Sequence, residues 1–268
     1  MCGIAGLLDA SRGTSAADLE AVALDMADTL HRRGPDDRGA WADPGAGVAL
    51  ASRRLAIVDL SPLGHQPMVS ACGRFTVAYN GEVYNHRALR ADLEGAGYEF
   101  RSHSDTEVLL AAVCVWGLDG ALARCNGMFA FALWDREARS LHLVRDRLGE
   151  KPLYYGRVGR RVVFGSELKA LRAHPGFAPD VDRDALAVYL RLSYVPSPHT
   201  IYRGVHKLPP GTVLTLGPDL GPTLPAPRRY WSLANAVDEA VSHPFEGSAE
   251  DACEEVDGLL RDAVASRM

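Results

Sequence analysis

The sequence has little of what marks a membrane-bound, secreted or nucleic-acid-binding protein. Its 268 residues contain no uninterrupted apolar run of about 18 residues, the length of a membrane span. It has 29 basic and 34 acidic residues, and neither sign collects into a long block. This balance disfavours an electrostatic nucleic-acid interface, and no basic segment precedes the first apolar stretch. We therefore expect a soluble, cytoplasmic protein without nucleic-acid or membrane partners.

Cysteine is also scarce. The five cysteines, at positions 2, 72, 114, 125 and 253, form no Cys-x-x-Cys pair and have no metal-ligand spacing. The odd number disfavours a disulfide framework, and the spacing disfavours a metal site. Cys114, in the apolar stretch 109–116, and Cys253, in a helical pattern, are interpreted as small buried thiols. Cys2 differs from them because it follows the initiator methionine.

Apolar patterns predict a chain rich in strands with a few helices. Strands are predicted at 2–8, 48–52, 55–59, 75–80, 128–134, 141–145, 153–156 and 162–165. Helices are predicted after Ser15, after a capping box at 104–107, at 182–192 and at 249–267. The order lacks a regular βαβ alternation and therefore indicates an α+β fold. Frequent proline and glycine at 209–229 indicate a linker or domain edge.

Cys2 combines two groups that acyl-transfer chemistry requires. Because Met1 precedes a small residue, we expect its removal, which leaves a free α-amine and a thiol on Cys2. An α-amine titrates near pH 7.7–8.0 and can act as a general base. The thiolate is the reactive form of cysteine, and an adjacent base produces it. Position alone does not establish this role, which depends on the rest of the chain.

Short motifs spread along the chain carry a family resemblance. They are MCGIAG (1–6), RGPDD (33–37), RLAIVD (54–59), NGEVYN (80–85), SDTE (104–107), RDRLGEKPLYY (145–155), SELKAL (166–171), YVP (194–196), KLPPG (207–211) and YW (230–231). The first two resemble the class II glutamine amidotransferases, which are N-terminal-nucleophile hydrolases. The others resemble the N-terminal part of glutamine-hydrolysing asparagine synthetases. Arg32 stands where this family commonly has histidine, which leaves the packing of that segment open.

The resemblance implies a set of site residues. Cys2 would attack the side-chain amide of L-glutamine, release ammonia and form a thioester, while the Asn80 amide and Gly81 N–H would stabilise the oxyanion. Arg54 would bind the substrate carboxylate, and Asp105 with Glu82 would bind its α-amine. The full set of implied substrate-binding residues is Arg54, Leu55, Ala56, Ile57, Val58, Asn80, Gly81, Glu82 and Asp105.

Each residue also has a simpler interpretation. Arg54 and its neighbour Arg53 fit surface arginines beside a strand. Asp105 fits a favourable charge at a helix N-terminus, and Asn80-Gly81 fits a turn between two strands. The motif 145–155 and the segment 166–171 are interpreted as framework and ammonia-path positions without a chemical role.

The resemblance further implies a four-layer α-β-β-α sandwich. We expect an amidotransferase domain at 2–190, a linker at 191–247 and the start of a synthetase domain at 248–268. The glutaminase reaction needs no cofactor or metal. ATP, Mg²⁺ and L-aspartate would act only through a synthetase domain whose ATP-binding loop is missing from this sequence, and the resemblance allows a homodimer.

Three alternatives stay open at this point. A related class II amidotransferase would pass ammonia to a different acceptor. A binding module would hold glutamine without chemistry, and a fragment would be inactive.

Overall fold

Two six-stranded antiparallel sheets, packed face to face, form the centre of the computed structural model, which describes residues 1–217 and 219–267. The strands are β1 (Gly3–Asp9), β2 (Asp37–Asp43), β3 (Val48–Arg54), β4 (Met68–Val69), β5 (Phe75–Val83), β6 (Gly127–Asp135), β7 (Ser140–Arg145), β8 (Tyr154–Val158), β9 (Arg161–Gly165), β10 (Val205–Lys207), β11 (Thr212–Leu216) and β12 (Arg228–Arg229). Sheet 1 has the order β10-β8-β9-β1-β3-β2, and sheet 2 has the order β12-β11-β7-β6-β5-β4.

Helices cover the outer faces of both sheets. The helices are α1 (Ala16–Asp28), α2 (His86–Gly95), α3 (Asp105–Arg124), α4 (Leu168–Arg172), α5 (Arg183–Leu192), α6 (Leu233–Ser242) and α7 (Ala249–Ala265), with a 3-10 turn at Pro62–Gly64. Helices α1 and α4 pack on sheet 1, whereas α2 and α3 pack on sheet 2. This arrangement confirms the predicted α+β fold with four α-β-β-α layers.

Alternation along β1 shows how the sequence fills these layers. Ile4 and Leu8 point between the sheets, into a core with Trp134 and Leu141. The side chains between them, including Leu7, point to α1 on the outer face. Successive strand residues face opposite sides, so a strand with both faces covered is apolar throughout. All seven residues of β1 are buried for this reason.

Helix α3 is long and apolar enough to cross a membrane by length and composition. Its first half is nevertheless buried in the core against sheet 2, and Gly117, with φ of 70°, kinks the helix. The predicted capping box is wrong in one half. Ser104 accepts the Thr106 N–H at 3.0 Å, but the Glu107 carboxylate accepts the backbone N–H of Ser102 at 2.7 Å. In a capping box the Ser104 N–H would donate to Glu107. Here it donates to the Ser102 hydroxyl instead.

The sheets extend beyond residue 190, although proline and glycine at 209–229 indicated a linker there. Strand β10 pairs with β8 in sheet 1, while β11 pairs with β7 in sheet 2. These strands are short, and sequence alternation over three to five residues is a weak signal. The division of the chain into domains stays a prediction.

Two thiols differ from their predicted burial. Cys114 is only half-buried, and Cys253 is exposed on α7. Helix α7 buries none of its residues in the described part of the chain, so its apolar stripe has nothing to cover it.

Candidate active site

The N-terminus of β1 places Cys2 beside the end of β3. The antiparallel register pairs Gly3 with Arg53, so the chain just before β1 meets the chain just after β3. The Leu55 N–H lies 3.4 Å from the Cys2 Sγ, and the Leu55 carbonyl oxygen lies 3.7 Å from it. Arg33 donates from Nε to the Cys2 carbonyl oxygen at 2.9 Å. The thiol is thus held in the lining of an open pocket of about 70 Å³.

Burial controls the acid–base properties of this end of the chain. It raises the pKa of the Cys2 thiol, an effect that the Leu55 N–H and the terminal ammonium oppose. Burial lowers the pKa of the terminal amine, which Met1 carries in this structure; the Cys2 charge opposes that effect, and the charges of Arg33 and Lys151 add to it. Met1 itself lines the pocket, and its Sδ lies 3.1 Å from the Lys151 Nζ.

Asn80 brings an unpaired amide into the pocket. It is 1% exposed, and neither Nδ2 nor Oδ1 has a hydrogen-bond partner in the described part of the chain. Buried side-chain amides are normally paired, so this one is an exception. The predicted Asn80-Gly81 turn is wrong, because both residues lie inside β5, opposite Ala130 and Phe129 of β6.

Gly81 directs its backbone N–H toward the pocket. The Tyr79 N–H donates to Gln66 Oε1 at 2.7 Å, and the Val83 N–H donates to Asp105 Oδ2 at 3.0 Å. Alternate N–H groups of a strand point to the same edge, so the Gly81 N–H lies between these two partners. Both partners line the pocket. A Cβ at Gly81 would lie 2.3 Å from the Met128 carbonyl oxygen, so this position accepts no side chain.

Asp105 is the first residue of α3 and lines the same pocket. Its Oδ2 accepts the Tyr79 hydroxyl and the Val83 N–H, both at 3.0 Å, and burial raises its pKa. The helix N-terminus and the pocket therefore share this carboxylate, so the two interpretations of Asp105 are compatible. Glu82, half-buried, adds a second carboxylate to the lining.

Arg54 ends β3 with a guanidinium that faces the pocket wall. It donates to the carbonyl oxygens of Ser61, at 3.1 Å, and Asp59. Arg54 is 8% exposed, which excludes the surface interpretation. That interpretation is wrong for Arg53 as well, which is equally buried and donates to the Gly34 carbonyl oxygen at 3.0 Å. All seven residues of β3 are buried, including these two arginines at its end.

The segment 55–58 forms a loop rather than the predicted strand. Its members Leu55, Ile57 and Val58 line the pocket. Ala56 is outside that lining, and its N–H donates to Asp36 Oδ2 at 2.9 Å. The loop's apolar residues therefore serve as a pocket wall, which explains why apolar content suggested a strand.

The pocket lining also includes residues that were not predicted as site residues, namely Asp59, Gln66, Tyr79, Ser104, Thr106, Met128 and Lys151. Gln66 and Tyr79 carry no motif that would single them out. Lys151 belongs to the 145–155 motif, and burial lowers its pKa. That motif is otherwise framework, since Arg145 donates to the carbonyl oxygens of Lys151, Gly149 and Leu208.

Arg32 belongs to a segment that is held in place by the contacts of Arg33 and Gly34. Arg33 forms an ion pair with Glu167 at 3.0 Å, and Gly34 lies against the backbone of Arg53. Arg32 is exposed, so the departure from the family pattern falls on the surface. Among the described residues, no group of three or more histidine, cysteine, aspartate or glutamate residues could hold a metal ion.

Comparison with known proteins identifies the family of this chain. The family model of the glutamine amidotransferase domain matches residues 1–231 of this chain. Asparagine synthetase [glutamine-hydrolyzing] 3 of Bacillus subtilis is 38% identical over 274 residues, covering 100% of this chain and 41% of that protein. Asparagine synthetase B [glutamine-hydrolyzing] of Escherichia coli is 42% identical over 173 residues, covering 64% of this chain and 30% of that protein.

A solved structure shows the same fold at lower identity. Glutamine phosphoribosylpyrophosphate amidotransferase of B. subtilis superposes with a TM-score of 0.62 at 18% identity, covering 87% of this chain and 50% of that one. The chain spans less than half the length of the curated relatives it matches. It belongs to the glutamine amidotransferase domain family and corresponds to the glutaminase portion of glutamine-hydrolysing asparagine synthetases.

Proposed function

We propose that removal of Met1 makes Cys2 the N-terminal residue, and that Cys2 then hydrolyses L-glutamine to glutamate and ammonia in this pocket. One observation carries the proposal: the buried, unpaired amide of Asn80 faces the same pocket as the Cys2 thiol. An unpaired buried amide has a desolvation cost, and a tetrahedral oxyanion beside Cys2 would satisfy it.

The reaction begins with a proton transfer within Cys2. The α-amine takes the thiol proton, and the thiolate attacks the side-chain amide carbon of glutamine. The Asn80 Nδ2 and the Gly81 N–H donate to the resulting oxyanion. The ammonium returns its proton to the leaving nitrogen, which departs as ammonia and leaves a thioester. Water then attacks the thioester, and glutamate is released with regeneration of the thiol.

Opposite charges at the two sides of the pocket orient the substrate. The Arg54 guanidinium has five N–H donors, and its bonds to Ser61 and Asp59 fix its plane while leaving others for the substrate carboxylate. Asp105 and Glu82 supply carboxylates for the substrate α-amine. The side chains of Leu55, Ile57 and Val58 contact the substrate's methylene groups in this arrangement.

The longer protein is proposed to use this ammonia to make asparagine. The names of the relatives support L-aspartate as acceptor, and the resemblance supports ATP and Mg²⁺ in a synthetase domain. A homodimer and a cytoplasmic location belong to the same proposal. The glutaminase step itself is proposed to need no cofactor.

A glutaminase assay on the purified chain tests the proposal. We expect glutamate and ammonia from the wild type, no activity from Cys2→Ala, and normal activity from the matched control Cys253→Ala, which changes an exposed thiol on α7. Circular dichroism establishes that both variants fold. Glutamine hydrolysis by folded Cys2→Ala at the wild-type rate would exclude Cys2 as nucleophile.

Intact-mass measurement tests the role of the amine. Active material should begin at Cys2, and full activity in a sample that wholly retains Met1 would exclude the amine as base. A second assay adds ATP, Mg²⁺ and aspartate to this 268-residue chain. We expect no asparagine and an unchanged glutaminase rate, so formation of AMP and asparagine would contradict the proposed division of labour.

A further inference from the structure

Two cysteines outside the glutamine pocket lie close together. The Sγ atoms of Cys72 and Cys114 are 3.7 Å apart, although the two residues are 42 positions apart in sequence. Cys72 is exposed in the turn between β4 and β5, and Cys114 is half-buried on α3. A disulfide requires a sulfur–sulfur distance of about 2.05 Å, so only a small approach separates the thiols from a bond.

The surroundings leave the pair accessible and allow it to move. Both thiols line a surface pocket together with Arg74 and His142. Cys72 precedes Gly73, which adopts φ of 71° in the turn, and Cys114 precedes the kink of α3 at Gly117. Both cysteines therefore lie close to irregular backbone. A small displacement of either residue would disturb few hydrogen bonds of the sheets.

The two thiols differ in environment. Although burial raises the pKa of Cys72, hydrogen bonds from Ser70, from the Arg74 N–H and from Cys114 lower it overall, and the Ser70 Oγ lies 3.2 Å from the Cys72 Sγ. Burial raises the pKa of Cys114 to about 12. A more acidic, exposed thiol beside a protonated, half-buried one is the arrangement of an attacking and a resolving cysteine.

We propose that Cys72 and Cys114 form a reversible oxidation site that a peroxide converts to a disulfide. The Cys72 thiolate attacks one peroxide oxygen, the O–O bond breaks, and the leaving hydroxide is protonated to water. The Cys114 thiol then attacks the Cys72 sulfur of the sulfenic acid, and the S–O bond breaks with loss of a second water. Two thiols are oxidised by two electrons, and one hydrogen peroxide is reduced to two waters. A small-molecule dithiol restores both thiols by exchange.

The cross-link would enclose the chain that carries part of the glutamine pocket. Asn80, Gly81, Glu82 and Asp105 all lie between the two cysteines in sequence. The disulfide would tie the turn before β5 to α3, and β5 and α3 supply these four residues. The inference is independent of the catalytic assignment, since neither Cys72 nor Cys114 lines the glutamine pocket.

Hydrogen peroxide treatment of the full chain tests the site, in a Cys2→Ala background that removes the proposed nucleophile. We expect the reduced protein to lose two hydrogens in intact mass and to yield a Cys72–Cys114 cross-linked peptide. Dithiothreitol should reverse both changes. The matched control Cys253→Ser should cross-link equally, whereas Cys72→Ser and Cys114→Ser should not cross-link.

The order of attack has its own test. Cys114→Ser should accumulate a Cys72 sulfenic acid that dimedone traps, and Cys72→Ser should give no dimedone adduct at Cys114. Should a serine variant fail to fold, iodoacetamide labelling of the native chain decides, with Cys72 expected to react faster than Cys114. A peroxide-treated protein that retains a free Cys114 thiol, or that cross-links through another cysteine, would overturn the proposal.

Discussion

The sandwich and the C-terminal segment both contain helices with N-terminal caps and apolar stripes, but α1 of the sandwich is packed whereas α7 is exposed. Helix α1 has the Ser15 cap and buries Leu19, Ala23 and Met26 on sheet 1. Helix α7 has a complete capping box between Ser248 and Asp251, yet none of its residues is buried in the described part of the chain. Caps and apolar periodicity therefore specify a helix, whereas stability requires a second surface to pack against.

The C-terminal helices expose the apolar stripes that their sequences encode. Leu233, Val237 and Val241 of α6 are more than half exposed, as are Leu259 and Leu260 of α7. At least one contact joins the segment to the sandwich, since the Arg267 guanidinium lies 4.1 Å from the centre of the Tyr84 ring. We therefore expect the sandwich, and not the C-terminal helices, to contribute most of the free energy of unfolding. Variants in the two regions test this contrast.

The largest effect should separate the two regions directly. Leu141→Ala removes a fully buried side chain between the sheets and should lower the free energy of unfolding by about 2–5 kcal/mol. Leu260→Ala, on exposed α7, should change it by no more than about 0.5 kcal/mol. Urea unfolding of both variants is the measurement. Equal losses would mean that α7 belongs to the cooperative core.

The second prediction concerns a polar group inside the sandwich. Asn80→Ala should lower kcat for glutamine hydrolysis by about 10²–10³-fold, because one oxyanion donor is lost. The free energy of unfolding should stay constant or rise, since the amide has no hydrogen-bond partner among the described residues.

Ser52→Ala is the matched control for this prediction. The Ser52 hydroxyl is also buried and unpaired, but Ser52 does not line the glutamine pocket. Its removal should leave kcat unchanged. A large loss of stability without a loss of kcat in Asn80→Ala would contradict the oxyanion assignment.

The third prediction compares neighbouring arginines on β3. Loss of a charge-assisted pair costs about 1.5–3 kcal/mol, so Arg54→Ala should raise the KM for glutamine by roughly 10- to 150-fold. Asp105→Ala should behave similarly. Arg53→Ala removes an equally buried guanidinium that bonds to Gly34, and it should reduce stability with little change in KM. Steady-state kinetics on folded variants decide, and an unchanged KM in both Arg54→Ala and Asp105→Ala would exclude the binding-site assignment.

The smallest effect should depend on pH. Although burial raises the pKa of Asp9, hydrogen bonds from Ser11, Thr14 and Arg161 lower it to about 2. A carboxyl with a depressed folded-state pKa adds stability above its unfolded pKa of about 3.9, and this stability is lost as the pH falls through the folded pKa. Asp9→Asn should therefore lower stability at neutral pH by about 1.5 kcal/mol or more.

The same loss should shrink between about pH 4 and pH 2, where the wild-type carboxylate becomes protonated. Thermal unfolding across this range measures the difference. Asp25→Asn, a change on the exposed face of α1, is the control and should show no such trend. A constant difference down to pH 2 would mean that the Asp9 charge does not stabilise the fold.

The strands that sequence patterns identified are mostly the buried, apolar ones. The strands β1, β3, β5, β6, β7, β8 and β9 coincide with predicted segments, whereas β2, β4, β10, β11 and β12 were not predicted. The errors occur where a local pattern serves another purpose. The apolar segment 55–58 lines the pocket instead of pairing, and the Asn80-Gly81 dipeptide continues a strand because β6 pairs with it on one side.

The motifs predicted that the site residues act together, without stating how they meet. Cys2, Arg54, Asn80 and Asp105 come from four separate elements and line one pocket. Gln66 and Tyr79 had no sequence signal, because a glutamine or tyrosine becomes part of a site only through what it contacts. Their catalytic and binding roles stay predictions until the kinetics above are measured.

The sequence by itself determined the apolar runs that form the central strands, the helix caps and the positions of the chemistry-bearing residues, because these depend on neighbours along the chain. Only the tertiary structure decided which carboxylates, amides and thiols meet, since sheet pairing brings together residues far apart in sequence. The open amide of Asn80 beside Cys2 and the proximity of Cys72 to Cys114 are of this second kind. The first joins β5 to the start of β1, and the second joins the turn before β5 to α3, which are contacts that no local pattern encodes.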